Sequence, residues 1–254
     1  MPESRDPEGK YVYCVIQCDQ APQLASLGIG ERGDPVYTVH NAELAAVVSD
    51  SPIVRYEARR RNLMAHTRVL EEVMRDFTVL PVRFGTIAPD AEVIAQKLLA
   101  RRHDELVSLL REMDGRVELG LKAFWHDDAL FQEIVDETPP IRALRDSLIG
   151  RSAEETHFER MRLGEMVETA MERKREKDAE LILSRLRPLA HRVEILKTIT
   201  ERMVVNAALL VDKSVEPAMD EAVQGLDADL GHRLMFKYVG SVPPYNFVNI
   251  VVHW

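Results

Sequence analysis

An α+β fold of two domains is what this sequence predicts, both on antiparallel sheets and the second ferredoxin-like (βαββαβ) with a long helix. Three observations lead there. From residue 116 onward the signals run strand, helix, strand, strand, helix, strand, the split βαβ order in which two helices cover one face of a four-stranded sheet. Ahead of that, a buried strand, a hairpin and two helices form a separate block closed by Asp114-Gly115. Within this block, residues 62–86 switch from helical spacing to alternation, so that a helix hands the chain to a strand. The expected division is an N-terminal α+β domain over 1–115 and a ferredoxin-like domain over 116–254 that ends in an apolar tail.

Each element has a local reason. Tyr11–Gln17 (YVYCVIQ) is rich in β-branched and aromatic residues, as a buried strand requires. Pro22, Gly28, Gly30, Gly33 and Pro35 make 19–35 a loop, and Val36–His40 with Leu44–Ser49 form a hairpin around Asn41-Ala42-Glu43. Over 55–77 the spacing puts Leu63, His66, Leu70, Val73 and Phe77 on one helical face, leaving Arg68, Glu71, Glu72, Arg75 and Asp76 wet. Pro81 cannot continue that helix, and 79–86 is expected to be a strand carrying Arg83. Pro89-Asp90 opens a second helix with Val93, Leu98, Leu99, Leu106, Leu110 and Met113 inward.

In the second half, Arg116–Trp125 alternates as a strand, and 127–150 holds short helical pieces broken by Pro139-Pro140 and Gly150. Ser152 with Glu155 has the spacing of a capping box and is expected to open a helix reaching Leu186. Its charged middle, Glu172–Asp178 (ERKREKD), is expected to be a solvated segment held by i,i+4 ion pairs. Val193–Ile199 and Met203–Val211 read as strands, Glu216–Leu226 as a helix and His232–Val239 as the last strand. In the tail, Gly240–Trp254, Pro243-Pro244 precedes an extended stretch that is apolar on both sides of its alternation. It is expected either to pack back on its own domain or to recruit another protein by strand addition.

The chain has 254 residues, 46% apolar and 30% charged, with a net charge of −9. Such an acidic balance excludes a general nucleic-acid binder, which needs a basic surface to displace counterions. Cys14 and Cys18, four apart in one strand-like run, are too distant to bridge, which points to a reducing compartment. The polar start, MPESRDPEGK, is no signal peptide, and no apolar run has the length of a membrane span, so a soluble cytoplasmic protein is expected.

No constellation of residues reads as catalytic. Gly28-Ile29-Gly30-Glu31-Arg32-Gly33 matches the dinucleotide fingerprint by letter, but it lacks the preceding strand and following helix that bring pyrophosphate to a helix terminus, and reads as a flexible loop. Glu154 and His157 have the E-x-x-H spacing of di-iron bundles without the second copy such sites need. His126-Asp127 with His66 could be drawn into a metal site, yet the pair follows a strand, where Asp127-Asp128 would cap a helix. His66 reads as a satisfied core histidine, and Arg83 either pairs with a carboxylate or projects from the sheet edge.

Three segments resemble one family, the gas vesicle proteins of the GvpF/GvpL type. They are His66 on its helix followed by Thr78-Val79-Leu80-Pro81-Val82-Arg83-Phe84-Gly85-Thr86, then Asn206–Asp212 (NAALLVD), then Val239–Val248, similar to a family ending T-G-P-W-P-P-Y-S-F-V. Val239, Ser241, Val242 and Asn246 replace the threonine, proline, tryptophan and serine of that ending.

The resemblance implies two α+β domains, the second ferredoxin-like, and a non-enzymatic accessory or minor structural protein that works with the hydrophobic shell protein. The expected partners are the major gas vesicle shell protein and other gas vesicle accessory proteins, with no nucleic acid, membrane, metal or cofactor. The expected location is the cytoplasm, in association with gas vesicles. Arg83, Tyr245, Phe247, Val248 and Ile250 are the candidate partner-binding residues. The rival readings are a metal-dependent hydrolase using His66, His126 and Asp127, and a ferredoxin-like ligand sensor.

Overall fold

The computed structural model describes residues 7–252 and 254, with the side chains of 127–129 excepted. The expectation for the first residues of MPESRDPEGK thus lies outside the described residues. Two compact units emerge. One comprises the residues up to Glu118 together with those from Ser241 on, and the other is Leu119–Gly240. The sequence grouped the tail with the C-terminal half, whereas the structure assigns it to the first unit.

The first unit is built around β1 (Glu8–Gln17), whose residues Tyr11–Ile16 are all fully buried. On one side β1 pairs antiparallel with β3 (Leu44–Pro52), which pairs with β2 (Val36–Asn41). Cys14 lies in β1 and Cys18 just beyond its end, both buried and both free. On the other side of β1, the expected single strand over 79–86 proves to be two short ones, β4 (Leu80–Pro81) and β5 (Ile87–Ala88). The reason is a slip in register. Cys14 pairs with Pro81 and Tyr11 with Ile87, so only Val12 and Tyr13 of β1 face the whole of Val82–Thr86. The surplus backbone is thrown outward as a turn at Arg83–Gly85, and Gly85 takes a φ of +83°, a conformation glycine adopts without strain.

α1 (Arg60–Val73) buries Asn62, His66, Val69, Leu70 and Val73. Leu63, expected inside, is 40% exposed, and Phe77 falls beyond the helix end. The expected second helix is segmented into α2 (Ala91–Val93), a π-helical stretch (Ile94–Ala100) and α3 (His103–Met113). The Arg101 amide donates to the Gln96 carbonyl, the i→i−5 bond that marks the wider coil.

The tail is not the extended strand its alternation suggested. The Phe247 and Val248 amides both donate to the Pro244 carbonyl, closing a helical turn for which the missing proline N–H groups cost nothing. Glu118, at 3% exposure, fixes the turn by accepting from the Asn246 amide (2.8 Å) and from Asn246 Nδ2 (2.5 Å). Ile250 then forms a parallel bridge with Val82.

In the second unit the strands β6 (Arg116–Trp125), β7 (Arg192–Ile195), β8 (Met203–Asp212) and β9 (Leu234–Val242) form one sheet in the order β7-β8-β6-β9, consistent with the ferredoxin-like arrangement. The helices are α4 (Asp127–Glu137), α5 (Pro139–Ser147), α6 (His157–Leu186) and α7 (Glu216–Leu230). Ser152 does accept from the Glu155 amide (3.3 Å), but this closes a turn ahead of α6, which begins at His157.

The charged middle of α6 is only partly solvated. Lys174 and Asp178 are buried, four residues apart on the inner face. Asp178 accepts from Trp125 Nε1 (2.8 Å) and from both terminal nitrogens of Arg233 (2.7 and 3.1 Å). Arg233 also holds Glu133 (2.7 Å), which pairs with Lys174 (2.7 Å), and Lys174 reaches Glu137 (2.9 Å). Composition alone made ERKREKD a wet face; the packing turns two of its charges inward and matches them.

Cutting this network at its most buried carboxylate strands the Trp125 N–H and takes from Arg233 one of its two carboxylate partners. Asp178→Ala is expected to lower unfolding stability by about 3 kcal/mol, with Asp178→Asn milder, in urea titrations near neutral pH. A loss under about 1 kcal/mol would show the network to be energetically idle.

Candidate functional site

The turn thrown out by β1, the inner face of α1 and the tail converge on a cavity of about 430 Å³, lined by His66, Arg83, Phe84, Tyr245 and Asn249 among others. His66 stands at its inner wall, 3% exposed, in a cluster of rings. Its centroid lies 5.8 Å from Tyr11, 5.6 Å from Tyr13 and 5.6 Å from Phe84.

Hydrogen bonding favours one tautomer of the imidazole, the one in which the Tyr11 hydroxyl finds an acceptor. Tyr11 Oη accepts the Gly85 amide (3.0 Å), so its single proton goes to the remaining neighbour, His66 Nδ1 (3.1 Å). The other proton therefore sits on Nε2, which is buried and has no partner within the protein. Burial also lowers the His66 pKa from 6.5 to about 4, because the charged ring would lose its hydration with no carboxylate to replace it. Behind the imidazole, Tyr13 Oη accepts the Ile29 amide (2.8 Å) and shares a hydrogen bond with Ser49 Oγ (2.9 Å).

The 28–33 loop is anchored, not flexible. Ile29 is fully buried, Gly28 donates to the Asp34 carbonyl (2.8 Å), and a Cβ on Gly28 would stand 2.5 Å from Ser49 Oγ. Gly28 packs closely against β3 and Gly30 against Tyr56, and no helix follows to receive a phosphate.

Of the five candidate residues, Arg83 and Tyr245 (40%) are exposed at the cavity rim, while Phe247, Val248 and Ile250 are buried at 7%, 5% and 1%. The tail thus presents no free strand edge through those three side chains. His126 is exposed, with Nε2 3.1 Å from the Gly231 carbonyl oxygen, and occupies the capping position that Asp127 was expected to fill, α4 starting at Asp127. The Asp127 side chain lies outside the described residues. Among the described residues no group of three or more His, Cys, Asp or Glu is placed to hold a metal.

Sequence reasoning missed Tyr11, Thr67, Phe84 and Asn249 as companions of His66. A signal did exist for the first. Two tyrosines in an otherwise aliphatic strand must find partners for their hydroxyls.

A family model described as "Gas vesicle synthesis protein GvpL/GvpF" matches residues 9–249. The chain belongs to this family. Gas vesicle protein F of Streptomyces sp. (strain CB03234) is 32% identical over 241 residues, covering 94% of this chain and 98% of the relative. Gas vesicle protein F of Dolichospermum flosaquae is 30% identical over 244 residues, covering 94% and 97%. The crystal structure of GvpF from Anabaena sp. PCC7120 matches with a TM-score of 0.84 at 28% identity, covering 96% of this chain and 100% of that one. The family's mixed helix and sheet architecture is the one observed here. No helix among the described residues is long and apolar enough to cross a membrane.

His66 sets a pH dependence. Because its folded-state pKa is depressed from 6.5 to about 4, the unfolded chain takes up a proton first as pH falls. Stability from this group is whole above 6.5, declines through the interval down to about 4, and levels off below. The total is about 3 kcal/mol at roughly 1.4 kcal/mol per unit. His66→Gln, which can still accept from Tyr11, should flatten that segment of the stability–pH curve; an unchanged slope would mean another group carries it.

Proposed function

We propose that this protein supports gas vesicle formation as a non-enzymatic assembly or minor shell-associated component that binds the hydrophobic shell protein. The observation that carries the reading is the family match across 9–249. Its relatives are gas vesicle proteins, and among the described residues no group of side chains converges as a catalytic set. Its setting would be the cytoplasm, alongside the shell protein and other gas vesicle accessory proteins.

The surface around the cavity suits such a partner. Leu63 (40%), Tyr245 (40%) and Val251 (37%) are exposed apolar side chains on the cavity wall, with the Arg83 cation beside them. Apolar anchors next to one charge are the composition of an interface centre. A soluble acidic protein presenting them could shield a water-repelling subunit until it joins the shell.

Co-expression with the shell protein followed by affinity capture tests this. The wild-type chain should retain the shell protein, and the double variant Leu63→Ser, Tyr245→Ser should retain several-fold less, each lost anchor costing about 1 kcal/mol or more. Absence of association, together with normal vesicles after deletion of this chain, would refute the proposal.

A further inference from the structure

The cavity beneath the tail holds an unmatched set of donors. Its inner wall includes His66, whose Nε2–H has no acceptor in the protein, and its rim carries Arg83, which makes no ion pair among the described residues. Thr67 and Tyr245 also line it. Asn249 adds a side-chain amide, and the remaining wall is carbon, from side chains such as Leu63, Val82, Phe84, Val248 and Ile250. A volume of about 430 Å³ falls in the range of small-molecule sites, about 300–1,000 Å³.

We propose that this cavity binds a compact apolar monocarboxylate, whose oxygens accept from His66 Nε2–H and the Arg83 guanidinium while its carbon body fills the apolar wall. The chemistry selects that class. A buried N–H without an acceptor costs free energy that an incoming oxygen recovers. Arg83 is the one cation on the lining, so one negative charge is matched and the second charge of a phosphate dianion is not. A neutral carbonyl would satisfy Nε2–H but leave Arg83 unused. Residues of the tail form the outer wall. Residues 249–252 are held by one bridge, Val82 with Ile250, and by Arg102 Nη1 donating to the Val251 carbonyl (3.1 Å).

Two sources offer this chemistry, a free acid or the carboxy-terminal residue of another polypeptide. The proposal stands apart from shell binding, since it rests on the cavity alone. The test uses the full chain in calorimetric titrations with hexanoate, hexanamide, and an acetylated tripeptide ending in leucine as its free acid or its amide. Binding by one or both acids is expected, with Kd of about 1 mM or tighter and the amides about tenfold weaker or worse. Hexanoate alone identifies a free acid as the source, and the peptide acid alone identifies a chain terminus. Arg83→Gln, at an exposed position that leaves the core intact, should weaken acid binding about tenfold. In parallel, the ring ¹⁵Nε2 resonance of wild-type His66 should shift on addition of the acid probe, a readout that a purely structural Arg83 would not move. No acid binding, equal binding of acids and amides, or an unmoved His66 resonance would overturn the proposal and leave the cavity as packing space.

Discussion

One mismatch of register governs the first unit. Two residues of β1 face five of the chain opposite, so the segment between β4 and β5 has to leave the sheet. Leaving it, Gly85 turns back and its amide meets Tyr11 Oη, which commits the tyrosine proton to His66 Nδ1. A backbone irregularity thus favours one tautomer of a side chain on a different element, whose Nε2 is buried without a partner in the protein. The same excursion lifts Arg83 to the surface, while Pro81 and Val82 remain buried beneath it. Bulged and slipped ladders commonly re-aim side chains in this way.

The second unit solves a different problem. A helix as long as α6 with a charged middle cannot bury a continuous apolar stripe, so its inner face is completed by matched charge. Lys174 and Asp178 sit four residues apart and engage Glu133, Glu137, Arg233 and the Trp125 indole. Such a network often adds no more stability than an equal apolar volume would, but loss of Arg233 would leave the buried Asp178 carboxylate without a cation. The Trp125 N–H, a donor that a buried indole must satisfy, is its fixed point at the end of β6.

Much of the architecture was legible because it is local. The buried strand Tyr11–Gln17, the hairpin, α3 and the strand–helix alternation after 116 follow from period, turn residues and apolar runs. His66 was legible as an inward histidine from its place on the stripe of α1. Its companions were not, since Phe84, Tyr245 and Asn249 are remote in sequence and only a slipped register and a folded-back tail bring them together. The tail misled for a related reason. Alternation suggests a strand, but two prolines followed by Tyr245–Val248 can equally open a helical turn, and the choice was made by Glu118, more than a hundred residues earlier.

By itself the sequence determined the α+β class, the inward face of α1 and, through three short segments, the gas vesicle family, because these depend on residue order within windows of ten or twenty residues. Tertiary structure alone decided which charges of ERKREKD are buried, which tail side chains remain available, and where the His66 ring proton sits. Each of these is fixed by partners far along the chain, whose proximity no local spacing encodes.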